Sequence, residues 1–113
     1  MIKIVNQKIT DGAVKEFLGD PFPDMIKFVV DVRKELIALG GELHSDAESL
    51  LLEKGSKQAD LWGANYWPDK PLNEKIEYTS MINIRPSAGN RSMEVKDPAT
   101  RQKIQNIAEK LLP

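Results

Sequence analysis

The chain has one histidine and no cysteine, so its chemistry must rest on His44, carboxylates, amides, hydroxyls and cationic side chains. His44 stands in GGELHSDAE, two residues before Asp46 and four before Glu48. On an extended segment these three side chains project to one side. An imidazole that titrates near neutrality beside carboxylates can exchange a proton or hold a metal. The same residues also suit a plain turn, with Asp46 bonding its own backbone and Glu48 in solvent. No second histidine and no repeated ligand pair supports a metal, so no metal site is expected. His44 and Asp46 remain the catalytic pair of one alternative, a phosphoester-cleaving enzyme with His44 as general acid and base.

A second set suits binding better. Asn83 and Arg85 lie in IEYTSMINIRPSAGN, and Asn65 lies in LWGANYW. Arginine offers a planar fork that fits a carboxylate or phosphate, and asparagine offers both a donor and an acceptor. Asparagines are poor strand formers, so two of them inside strand-like stretches call for a reason. Just beyond, Ser87, Gly89, Asn90, Arg91 and Ser92 make a polar loop. Gly89-Asn90 can adopt positive φ and turn backbone N–H groups toward one point. The P-loop pattern G-x-x-x-x-G-K-[ST] is missing, and Asp97 before the next helix would repel an anion there. Bland roles exist for all of these: Arg85 paired with Glu77, Glu53 or Asp60, and Gly89-Asn90 as a tight turn.

The leading reading is a binding domain for an anionic or phosphate-bearing ligand, a small molecule or RNA. Arg85, Asn83, Arg91, Asn65, Asn90 and Ser92 would hold it, with no cofactor. Trp62, Tyr66 and Tyr78 share the apolar parity of their stretches, which suits packing better than base stacking. Trp67 has the opposite parity. With an exposed sheet edge it supports a third reading, a protein-interaction or homo-oligomeric assembly module.

These residues need elements to position them. At 113 residues, 41% apolar and 29% charged, the chain suits one domain with one core. A formal charge of −1 gives no general field toward nucleic acid or membrane. Between Arg85 and Lys103, however, five basic residues face two acidic ones. MIKIVNQKI is too polar for a secretory leader, and no stretch approaches the roughly 20 apolar residues of a membrane helix. A cytoplasmic location is therefore expected.

Ile2–Val5 reads as a strand, and Thr10 caps a short helix carrying Val14, Phe17 and Leu18. Met25, Phe28, Val29, Val32, Leu36 and Leu39 recur at helical spacing, which predicts a helix from Asp24 to about Leu39, ended by Gly40-Gly41. Residues 48–53 fit helix or strand; strand is preferred, turning at Lys54–Lys57 into a second strand at 61–67. Gly63 there would allow a bulge or a close approach. Ile76–Arg85 reads as the longest strand, and Asp97-Pro98 opens a last helix with Ile104, Ile107, Ala108, Leu111 and Leu112 on one stripe. The expected fold is α+β: an antiparallel sheet of three to five strands with helices packed on one face, in the order β-α-α-β-β-β(-β)-α.

GGELHSDAE, LLEKGSKQADLWGANYWP and IEYTSMINIRPSAGNRSMEVKDP together resemble a small prokaryotic family of uncharacterised proteins, a domain of unknown function. The resemblance runs over most of the chain from Phe22 onward. It implies no activity, substrate or cofactor.

Overall fold

The computed structural model describes residues 1–113. Ile2–Val5 forms β1, and Thr10 caps α1 (Asp11–Lys15) by accepting the Ala13 N–H. The stretch from Asp24 to Leu39, expected as a helix, is a hairpin of β2 (Ile26–Asp31) and β3 (Leu36–Gly40). Its apolar residues satisfy both periods at once. Ile26, Phe28 and Val30 face one core while Val29 and Ala38 face another, so the stretch carries no polar alternation to betray a strand. Val and Ile are also stiff side chains that fit a pleated sheet better than a helix. Asp31 builds the turn. Its Oδ1 accepts from the N–H groups of Arg33 (2.9 Å) and Lys34 (2.8 Å), and its Oδ2 from the Ser56 hydroxyl (2.6 Å). Arg33, Lys34 and Glu35 thus form the loop rather than the wet side of a helix, with Glu35 at φ +56°.

Residues 44–53 form α2 (His44–Glu53), not the strand expected over 48–53. Ala47 and Leu51, one turn apart, bury against Val29, Ala38 and Leu61. That second apolar sheet face selects the helix. β4 (Leu61–Tyr66) pairs with β2, placing Gly63 opposite Val29. β5 (Ile76–Glu77) meets only Asn65 and Tyr66, so the long strand expected to Arg85 stops after two residues. Short 3-10 turns at Met81–Asn83 and Pro86–Ala88 follow. Asp97 then caps α3 (Pro98–Leu111) by accepting from Thr100 N–H at 3.0 Å.

The α+β class stands, with a five-stranded antiparallel sheet in the order β1-β3-β2-β4-β5 and three helices. The helices, however, take both faces rather than one. Val14 of α1 and Ile104, Ile107, Ala108 and Leu111 of α3 pack on Phe28, Val30, Leu39 and Ala64. α2 packs on the opposite side. No helix is long and apolar enough to cross a membrane.

Candidate functional site

Because β5 is short, the backbone of β4 from Leu61 to Gly63 meets no strand on that side. The loop that follows serves it with side chains instead. Asn83 Oδ1 accepts from Gly63 N–H at 2.8 Å, and its Nδ2 donates to the carbonyls of Gly63 (2.9 Å) and Met93 (3.0 Å). An amide is the one side-chain group that carries a peptide unit's donor and acceptor together, so Asn83 continues the ladder. Arg85 donates to the carbonyls of Gln58 (2.8 Å) and Leu61, with its guanidinium 4.2 Å from the Trp62 ring centre. Burial lowers its pKa, and the Glu48 charge opposes that shift. Asn90 Nδ2 faces the carbonyls of Asn83 (2.7 Å), Ser92 (2.9 Å) and Glu94 (3.0 Å), and its Oδ1 accepts from Lys96 N–H at 3.0 Å. Asn83 and Asn90 are buried. Ser92 Oγ accepts from Glu94 N–H at 3.1 Å, and Arg91 lies exposed.

Asn65 and His44 meet elsewhere. On the sheet face that carries α2, Lys27 and Asn65 extend past the buried cluster of Val29, Ala38 and Leu61. A cleft of about 330 Å³ opens there, between the start of α2 and residues 79–93. Its polar lining is Lys27, His44, Ser45, Asn65, Thr79 and Ser80. Leu43, Met81, Ile82 and Met93 complete it, and Leu43, Met81 and Met93 are exposed. Gly63 lets this wall come close, since a Cβ on it would lie 2.5 Å from Ser80 Cβ.

His44 is the first residue of α2 and is buried, its Nε2 2.8 Å from the Ala64 carbonyl. A carbonyl can only accept, so Nε2 carries the hydrogen and Nδ1 of the neutral ring keeps a lone pair. Burial holds the His44 pKa below its ordinary 6.5; the Ala64 carbonyl opposes this, the Lys27 charge adds to it, and Asn65 opposes it. Asn65 is 7% exposed. Its Nδ2 donates to Glu77 Oε1 at 2.8 Å, and because a carboxylate only accepts, this fixes which way the amide points. Asn65 Oδ1 is left buried with no partner in the chain. Lys27 makes no ion pair; its ammonium lies 4.9 Å from the Phe22 ring centre.

Of the sequence candidates, this cleft gathers Asn65 and His44 and not Arg85, Asn83, Arg91, Asn90 or Ser92. Asp46 sits two residues along a helix, so it turns about 200° from His44 and is exposed. The shared side drawn for His44, Asp46 and Glu48 needed an extended backbone, and no cluster of His, Asp and Glu here could hold a metal. His44 and Arg85 reach the carbonyls of Ala64 and Leu61, three positions and roughly 10 Å apart along β4. Lys27 escaped sequence reasoning because it lay inside the expected Asp24 helix. Leu43, Met81 and Met93 left a usable signal, apolar side chains beside polar turns. A second groove of about 310 Å³ lies between α3 and β5, but its Tyr66 hydroxyl already donates to the Pro113 carbonyl at 2.8 Å.

The family model described as Protein of unknown function (DUF5674) matches residues 3–111, and the chain belongs to that family. No curated protein and no solved structure matches the chain.

Proposed function

For this member of the DUF5674 family we propose a binding role: the cleft between α2 and residues 79–93 holds a small amphipathic anion. The observation that carries this reading is the buried, unpartnered Asn65 oxygen beside the unpaired Lys27. An unsatisfied buried acceptor costs about 1–3 kcal/mol, which a donor brought to it on binding, from the ligand, a water or a newly protonated neighbour, removes. Above it, exposed Leu43, Met81 and Met93 form an apolar rim. Ligand sites combine such a lining with a few fixed polar groups, and methionines adapt to the shape they meet. Lys27 supplies the cationic end.

On this reading Asn83, Arg85 and Asn90 act at one remove. They fasten residues 79–94 to the edge of β4 and so hold one wall of the cleft in place. Arg91 and Ser92 do not line the cleft. The phosphoester-cleaving alternative keeps His44 but has neither arginine in the cleft.

The test is a panel of small carboxylates, phosphates and neutral amphiphiles titrated into isotope-labelled protein. A ligand should shift the Asn65 side-chain amide and the methyls of Met81 and Met93. Lys27→Ala should weaken an anionic ligand about tenfold, equivalent to ~1.4 kcal/mol. Shifts confined to Arg85–Ser92, or affinity indifferent to Lys27→Ala, would defeat the assignment.

A further inference from the structure

We infer that the anion is a monocarboxylate with a short apolar body, and that His44 takes up a proton as it binds between Lys27 and His44. The inference rests on the cleft reading above and adds ligand class and proton linkage.

Charge selects the carboxylate. The cleft contains one cation, Lys27, and no guanidinium. A lysine is a point charge that matches a monoanion, whereas a phosphate dianion is better matched by the forked donors of arginine. The nearest such fork, Arg85, already donates to the Gln58 and Leu61 carbonyls. Size keeps the body short: 330 Å³ lies at the low end of ligand pockets, about 300–1,000 Å³. Leu43, Met81, Ile82 and Met93 would cover the apolar part.

The surroundings of His44 supply the proton linkage. Two groups favour an imidazolium there: the Ala64 carbonyl already accepts from Nε2–H, and Asn65 Oδ1, unpartnered while the ring is neutral, would accept the hydrogen that protonation adds at Nδ1; burial and the Lys27 charge oppose it. A carboxylate beside Lys27 cancels the opposing charge and adds an attractive one. The other charged groups around His44 are already occupied or turned away. Glu77 of β5 accepts from Asn65 and Trp67, Glu94 pairs with Lys96 at 2.9 Å, and Asp46 points outward. Glu48, one turn along α2, bears on Arg85. Lys27 is therefore the charge whose neutralisation His44 feels.

The sign follows from linkage. A ligand that prefers protonated His44 gains affinity as pH falls through the bound-state midpoint, by up to about tenfold per pH unit, and levels off below the free-state midpoint. The window closes where the ligand's own carboxyl protonates. Because the chain has one histidine, its imidazole C–H resonances report this site without assignment ambiguity.

Octanoate, octanol and octyl phosphate are the probes. The expected result is octanoate binding with the His44 midpoint raised by about one unit or more at saturation, where one unit is a tenfold linkage. Octanol should bind at least about tenfold more weakly, with no pH slope. Lys27→Gln should weaken octanoate about tenfold and leave octanol unchanged. Octanoate binding with an unmoved His44 midpoint would overturn the proton linkage and leave the cleft reading standing. Octanol equal to octanoate, or octyl phosphate clearly tighter, would overturn the monocarboxylate. If none of the three disturbs the cleft resonances, the monocarboxylate falls; the binding role falls with it only when the wider panel above is silent as well.

Discussion

Asn83 shows how one side chain can replace a strand. It is fully buried, and its amide returns to Gly63 the donor and acceptor that β5 is too short to provide. Removing it leaves the Gly63 N–H and carbonyl without partners inside the protein, while the Met93 carbonyl keeps the Ser80 N–H at 3.0 Å. Each orphaned group costs about 1–3 kcal/mol, part of which water entry recovers. Asn83→Ala should therefore lower unfolding stability by about 3 kcal/mol in urea titration, with an unchanged m-value. A loss below about 0.5 kcal/mol would mean that the loop does not depend on this amide. An asparagine within a strand-like run does announce a special demand in the sequence. Whether a ligand or the backbone makes that demand depends on where β5 ends, and no local pattern states that. The same holds for Asn90 and Arg85, whose donors are directed to carbonyls distant in sequence or hidden by the turn geometry.

At the scale of elements, legibility followed how local the determinants are. α3 could be read because its cap, its first-turn proline and its apolar stripe lie within fifteen residues. The β2–β3 hairpin could not, because burial on both faces erases the period of two that marks a strand. What identifies the hairpin is Asp31, and half of its role depends on Ser56, 25 positions away. Asp31→Ala should cost about 3 kcal/mol, since it frees two turn N–H groups and a buried hydroxyl together. Glu35 provides the opposite case. At φ +56° it sits in a conformation that glycine adopts without a Cβ penalty, and its contact with Lys110 is long (3.8 Å) and exposed. Glu35→Gly should stabilise the fold by about 0.5–1 kcal/mol. Urea titration of the two variants checks both; a helix over 24–39 would respond to Glu35→Gly with the opposite sign.

For the whole molecule the decisive fact is that the sheet carries two cores of unequal size. α3 and α1 cover the larger one, and α2 adds Ala47 and Leu51 to a cluster of only five buried residues. His44 is the polar fastening at the start of α2, bonded to β4 while neutral. That arrangement makes global stability depend on pH in a definite direction. In the unfolded chain His44 titrates near 6.5; in the fold, burial lowers its midpoint. Between the two midpoints the unfolded state binds more protons than the native state, so stability rises with pH there. The contribution of His44 is complete above about 6.5 and is lost as pH falls through the folded midpoint. One histidine sets a ceiling on the slope of about 1.4 kcal/mol per pH unit. Urea unfolding at a series of pH values from neutral down toward 5 should show this decline. His44→Gln, which can still donate to the Ala64 carbonyl but cannot titrate, should flatten it. Equal slopes in the two proteins would place the pH sensitivity on the carboxylates and remove His44 as the fastening of α2.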